Sequence, residues 1–275
     1  MNAPERVAVA ERAARAGAAV AHDWFRTDLD IETKRDKTDP VTGADRRAQE
    51  RVVSEIRRVY PDDTVVGEET GTVSTPPAGG VAWIVDPIDG TTNYVRENPQ
   101  WATAVAVVRD RDPVAAVHVM PALGDVYVAG PDGLEANSDV ATVSDRTDPE
   151  RFAVSPMMGW GLGGRDGVEA VCGELVERFG HVRRYGTGQV TLSMVATGQL
   201  EGGFTFVQGR SWDRISGAYM VRQAGGTVTD LSGDPWTLDA SGMVASNGTA
   251  HDEFLTAVEA VRDRHVSGPE DDPHV

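Results

Sequence analysis

Apolar and small residues recur every three or four positions near the start of the chain, at Val7, Ala10, Ala14, Ala18, Ala21 and Phe25. That spacing predicts one buried face of a helix. A second helix is predicted from about Asp45 to Tyr60, with Ala48, Val52, Ile56 and Val59 on one side and Arg46, Arg47, Glu50, Glu55 and Arg57 on the other. Pro61 closes it. The pattern then turns to short Val- and Ala-rich runs at residues 64–67, 81–85, 103–109, 114–120 and 125–129, separated by Asp, Pro and Gly turns. Consecutive strands with short links predict an antiparallel sheet.

Beyond about Asn137 strand-like stretches at 152–155, 182–185 and 203–207 alternate with helical ones at 167–179, 189–197 and 213–224. Strand-like 227–230 and 243–245 and a last helix at 251–261 follow, which is α/β order. The expected organisation is an α+β half over residues 1–136 and an α/β half over 137–266. An acidic, Pro-containing tail at 267–275 is expected to be disordered. No low-complexity linker separates the halves, so they should pack together. No stretch approaches the roughly 20 apolar residues of a membrane span. Residues 1–15 have no apolar signal segment, and the expected location is cytoplasmic.

Charge changes the picture most. The 275 residues hold 43 acidic and 26 basic side chains, a net charge of −17, so a bare nucleic-acid backbone would be repelled. Only Lys34 and Lys37 are lysines; the remaining basic residues are arginine. An acidic, lysine-poor surface suits a cell with molar internal salt, where screening is strong, although a GC-rich genome that favours arginine codons gives the same bias. The single cysteine, Cys172, excludes an intramolecular disulfide and is expected to be a core thiol. His22, His118, His181 and His251 show no metal-ligand spacing.

The densest polar cluster runs Trp83-Ile84-Val85-Asp86-Pro87-Ile88-Asp89-Gly90-Thr91-Thr92-Asn93. An apolar strand enters a turn with two carboxylates three apart; Pro87 stiffens it, and Gly90 lets the backbone approach a ligand. A hard divalent ion with oxygen ligands, Mg²⁺ above all, would neutralise such a pair, though Asp-Pro and Asp-Gly are also ordinary turn formers. More acids stand at Gly67-Glu68-Glu69, after the strand at 64–66, and at Trp212-Asp213, before a helix ending in Ala224-Gly225-Gly226. Asp39-Pro40-Val41-Thr42-Gly43-Ala44-Asp45 opens the second helix, where capping is the simpler role for an acid.

In this order the four motifs resemble those of the inositol monophosphatase superfamily, Mg²⁺-dependent, lithium-sensitive sugar phosphatases, over roughly residues 7–260. The resemblance implies a layered α/β sandwich with the sugar phosphatase fold. It implies a phosphoric monoester hydrolase in which a metal-activated water attacks the phosphate directly. Glu68, Asp86, Asp89, Asp213 and the Ile88 carbonyl would hold two or three Mg²⁺ ions, with Mn²⁺ as a substitute. Glu68 and Thr91 would orient the water, with Asp45 accepting a hydrogen bond from the Thr91 hydroxyl. The Gly90 and Thr91 amides would cradle the phosphate, and Asp89, Asp213, Arg184, Gly186, Thr187 and Gly188 would meet the substrate. The expected partners are a small sugar or polyol phosphate and a second copy of the chain in a homodimer, with no nucleic acid and no membrane.

Departures from the pattern bear on the substrate. Trp212-Asp213 is followed by Arg214-Ile215-Ser216 where the family places two small residues, and Gly188-Gln189 replaces another small pair. Phe206 stands where inositol and histidinol phosphatases carry a substrate-binding acid. Arg183, Arg184 and Arg210 could instead meet a second phosphate, which favours fructose-1,6-bisphosphate beside inositol-1-phosphate; histidinol phosphate, 3′-phosphoadenosine phosphate and NADP follow. A relative that binds metal or phosphate without turnover is the rival. Gly159-Trp160-Gly161-Leu162-Gly163-Gly164 fits a dinucleotide fingerprint, but 181–186 lacks the acid that such a site requires, so a flexible loop is expected.

Overall fold

The computed structural model describes residues 3–33, 40–69, 75–157, 165–207 and 209–266. The Gly159–Gly164 motif, Lys34, Lys37, Asp39 and the tail at 267–275 lie outside them. Helix α1 (Ala3–Trp24) leads into a small antiparallel ribbon of β1 (Ile31–Thr33) and β2 (Pro40–Thr42), and then α2 (Gly43–Arg57). Strands β3 (Thr64–Gly67) and β4 (Val81–Asp89) precede a one-turn helix α3 (Thr91–Val95). Then come β5 (Ala102–Arg109), β6 (Asp112–Met120), β7 (Asp125–Gly130), β8 (Gly133–Ala136) and β9 (Asp139–Ala141).

Strands β3 to β9 form one seven-stranded sheet in sequence order. All its neighbours are antiparallel except β3 and β4, which run parallel, a correction to the antiparallel expectation. The physical reason is the connection at 68–80, which is long enough to cross back to the starting end. Strands β8 and β9 escape the hydrophobic pattern because they are short and β9 presents Val140 to solvent at 85% exposure. The sheet therefore continues past Ala136.

The remainder is β10 (Ala153–Val154), α4 (Arg165–Arg178), β11 (His181–Val182), α5 (Gly188–Ala196), β12 (Gly202–Thr205), α6 (Ile215–Gln223), β13 (Thr227–Thr229), β14 (Met243–Ser246) and α7 (His251–Val266). Its sheet, ordered β11-β10-β12-β14-β13, is parallel on one side and antiparallel on the other.

Alternation along the central strands explains the layering. Odd positions such as Trp83, Val85, Val105 and Val107 pack on Ala10, Ala14, Val52 and Ile56 of α1 and α2. Even positions such as Ile84, Ala102 and Ala106 pack with Val190, Leu192, Ala218 and Val221 of α5 and α6. Those two helices are covered in turn by Met243 and Ala245 of the second sheet, whose far face holds Phe152 and Phe204 against Leu175 of α4 and Phe254 of α7. The result is five layers, helix–sheet–helix–sheet–helix. Gly17 makes the α1–α2 crossing close, since a Cβ there would lie 2.3 Å from Val52 Cγ2.

Two expectations are corrected. Glu55 is buried, because Arg12, Arg51 and Arg58 close over its carboxylate. Cys172 is only half-buried on α4. Among the described residues no helix is long and apolar enough to cross a membrane.

Candidate active site

The two acids of the dense cluster lie at the end of β4. Asp86 pairs with Ala104 and Asp89 with Ala102, so three steps along β4 match two along β5. Pro87 cannot donate to the ladder, and the extra residue forms a bulge. Ala104 and Ala102 are two apart and share a face; the bulge therefore brings Asp86 and Asp89 onto that same face. It is the face covered by α5 and α6, and both acids are buried there.

Parallel pairing of β3 with β4 brings their carboxyl ends together, with Gly67 opposite Val85. Glu68 follows directly, and its N–H donates to the Val85 carbonyl at 3.3 Å. Gln49 of α2 fixes this loop by accepting from the Glu69 N–H at 2.9 Å. A Cβ at 67 would stand 2.4 Å from Gln49 Oε1, so a larger residue there would displace the amide that holds this loop.

Asp45 makes two sets of contacts. One carboxylate oxygen accepts from the Thr42 N–H at 2.8 Å and hydroxyl at 2.7 Å, completing a capping box at the start of α2. The other lies 3.4 Å from the Thr91 hydroxyl, which is also 3.1 Å from the Ile88 carbonyl. Gly90 adopts φ +91° as α3 begins at Thr91, a conformation that favours glycine.

The second half of the chain reaches the cluster through α5. The Thr187 hydroxyl, the Gln189 N–H (2.9 Å) and the Val190 N–H (3.4 Å) all donate to Asp89 Oδ2, so this carboxylate sits at the start of α5. Thr187 also caps that helix through the Val190 N–H. Asn93 donates to the carbonyls of Gln100 and Tyr185, both at 2.7 Å, and so ties α3 to the loop before α5. In that loop Gly186 has φ +75° and Arg184 is exposed, while Gly188 is buried. Asp213 lies in a single 3₁₀ turn at Ser211–Asp213, half-exposed, with Oδ2 accepting from the Arg210 N–H at 2.8 Å.

Burial pushes the Asp89 carboxyl up to about 6; the nearby Glu68 charge adds to the shift, while the donors of α5 oppose it. As the side chains stand, no three His, Cys, Asp or Glu among the described residues are grouped as a metal site. The hydrogen bonds explain the arrangement: Asp89 turns one oxygen to α5 and Asp213 turns one to Arg210. The donor set nevertheless fits Mg²⁺. It is all oxygen, and its most buried acids would gain from a cation.

Gln49, Asn93 and His118 received no role from the sequence. His118 is fully buried on β6, its ring nitrogens 2.7 Å from Ser193 Oγ and 2.9 Å from Ser216 Oγ, and so links α5 to α6. Its isolation among the histidines concealed this. Phe206 is half-buried, edge-on to Phe204 at 5.8 Å.

A model of the inositol monophosphatase family matches residues 3–263. The chain is 36% identical to a histidinol-phosphatase of Streptomyces coelicolor, over 88% of this chain and 92% of that protein. It is 31% identical to a fructose-1,6-bisphosphatase/inositol-1-monophosphatase of Thermotoga maritima, over 86% and 89%. It is 30% identical to the Nus factor SuhB of Pasteurella multocida, over 91% and 94%. The solved structure of a Thermotoga maritima IMPase superposes with a TM-score of 0.85 at 29% identity, covering 94% of this chain and 99% of that one.

Proposed function

The chain belongs to the inositol monophosphatase family and is a phosphoric monoester hydrolase of it, and from that premise we propose that it uses Mg²⁺ to hydrolyse the phosphate ester of a small sugar or polyol. The observation that carries this reading is the placement of Glu68, Asp86 and Asp89 at the neighbouring ends of β3 and β4, with Thr91 and Asp45 in contact beside them. Glu68, Asp86, Asp89, Asp213 and the Ile88 carbonyl would hold the metal. Bound Mg²⁺ supplies charge neutralisation of the phosphoryl oxygens and of the leaving alkoxide. Glu68 and Thr91 orient the attacking water, and Asp45 draws on the Thr91 hydroxyl proton, which makes the threonine oxygen a better acceptor. The Gly90 and Thr91 amides receive a phosphoryl oxygen.

For the leaving group the reading favours a bisphosphate such as fructose-1,6-bisphosphate. Arg183, Arg184 and Arg210 are exposed in the segments flanking Thr187 and Asp213, where guanidinium forks can grip a second phosphate. The likeness to a histidinol-phosphatase supports histidinol phosphate as a second reading. Phe206 opposes it, since an ammonium would find a ring packed on Phe204 instead of a carboxylate. The likeness to a Nus factor supports a third reading, a metal-binding relative that works through protein contacts. The test is kcat/KM for fructose-1,6-bisphosphate, inositol-1-phosphate and histidinol phosphate at saturating Mg²⁺. The bisphosphate should lead. A preference of more than about tenfold for another ester, roughly 1.4 kcal/mol of transition-state binding, would overturn the assignment. No release from any ester with Mg²⁺ binding intact would favour the third reading.

A further inference from the structure

Gln189 is fully buried at the first turn of α5 and touches both halves of the acidic site. Its backbone N–H donates to Asp89 Oδ2 at 2.9 Å. Its side chain reaches the other way: Nε2 donates to the Trp212 carbonyl at 2.5 Å, and Oε1 accepts from the Gly217 N–H at 3.0 Å. Trp212 immediately precedes Asp213, and Gly217 lies in the first turn of α6. No side chain of the N-cap residue Arg214 caps that helix, whose first amides have no partner within the helix. Gln189 therefore serves as an N-cap delivered from a neighbouring helix.

The fit is particular to this pair of residues. A Cβ at 217 would lie 2.7 Å from Gln189 Oε1 and 2.5 Å from the Leu192 side chain, so glycine there leaves the room in which the amide reaches α6. The clasp is extended by the Ser193 hydroxyl, which donates to the Gln189 carbonyl at 3.0 Å, and by His118, which joins Ser193 to Ser216.

We propose that Gln189 is a positioning residue that fixes the Asp213 turn relative to Asp89, so that acids from the two halves of the chain bind the cation as one unit. The inference rests on the reading of both acids as metal ligands. It gives this buried amide its role: the 3₁₀ turn is tied by Asp213 to Arg210 and by the Trp212 carbonyl to Gln189.

The experiment is calorimetric titration of Mg²⁺ into chelator-stripped protein, comparing wild type with Gln189→Met, which keeps the length and loses both side-chain bonds. Asp213→Asn and Leu175→Ala complete the set, the latter a destabilised variant in the remote α4 layer. Gln189→Met should raise the Mg²⁺ dissociation constant about tenfold, as loss of a group that orients a ligand does, while Leu175→Ala leaves it unchanged. Binding by Gln189→Met within about twofold of wild type, with Asp213→Asn impaired, would overturn the clasp. Unimpaired binding by Asp213→Asn would overturn the metal reading beneath it. Should Gln189→Met not fold, nitrogen-15 NMR of the wild-type protein decides: the Gln189 side-chain amide should shift as Mg²⁺ is added, and an unmoved resonance contradicts the proposal.

Discussion

Asp86 and Asp89 stand on a strand with hydrogen-bonded neighbours on both sides, whereas Asp213 stands in one turn of 3₁₀ helix and stays half-exposed. The strand sets its acids through register: β3 pairs with it as far as Val85 and β5 as far as Asp89, and a bulge at Pro87–Ile88 turns two carboxylates to one face. The turn has no ladder to set it. It is placed by packing of Trp212 on the core and by separate bonds, among them Arg210 N–H to Asp213, Gln189 to Trp212 and Gly217, and the Arg214 guanidinium to the carbonyls of Gly209 and Ala240. The contrast teaches that a strand's acids are placed first by ladder register, with α5 donating to one of them, while an acid in a turn is placed by individual contacts from neighbouring segments.

The largest expected effect comes from the strand side. Asp89→Asn should lower turnover by about a thousandfold or more, through loss of a metal ligand. Its oxygen can still accept from α5, and the change removes a buried charge close to Glu68. The melting temperature of the metal-free variant should therefore equal or exceed that of wild type. Near-normal turnover at saturating Mg²⁺ would reduce Asp89 to a helix cap.

His118, which joins the two regions, gives a smaller effect visible in acid. Burial pushes its imidazole down to about 3, so the folded protein keeps it neutral while the unfolded chain takes up a proton below about 6.5. Stability contributed by the neutral ring is therefore lost as pH falls from about 6.5 towards 3, by about 1.4 kcal/mol at one unit below 6.5. Denaturant unfolding at pH 7.5 and 5.5 should show this loss, and His118→Gln should flatten it. His251, also pushed down by burial, adds to the loss in acid, whereas the raised Asp89 carboxyl opposes it, so the reading is the difference in slope between wild type and His118→Gln. An equal slope in wild type and His118→Gln would place the acid sensitivity elsewhere.

The smallest expected effect is spread over both regions. With a net charge of −17, repulsion weakens as the Debye length falls from about 30 Å at 0.01 M to about 3 Å at 1 M. Melting temperature and activity should rise from 0.1 M to beyond 1 M KCl with Mg²⁺ saturating. A maximum of both near 0.1 M would leave codon usage as the reason for arginine over lysine.

The same contrast governs what the sequence reveals. The central strands β4 to β7 are legible because alternating Val and Ala face two different helix layers. Asp86 and Asp89 are legible because the strand carrying them is. The parallel pairing of β3 is hidden, since local alternation carries no direction. Glu55 reads as solvent-facing because its three arginine partners include one from α1, a contact made only on folding. Gln189 stands out in the sequence as a departure from a small residue, but its meaning requires Trp212 and Gly217 beside it. Caps between distant segments leave no periodicity to read.

The most direct test of the central claim, that strand-borne and turn-borne acids together support a Mg²⁺-dependent phosphatase, is phosphate release before and after metal removal. Purified protein would be stripped with a chelator, dialysed, and assayed on fructose-1,6-bisphosphate with Mg²⁺ titrated back. Release should vanish on stripping and return in a saturable way with Mg²⁺, and Asp89→Asn and Asp213→Asn should each fail to recover it. Full release from the stripped enzyme, or full recovery by either variant, would contradict the account.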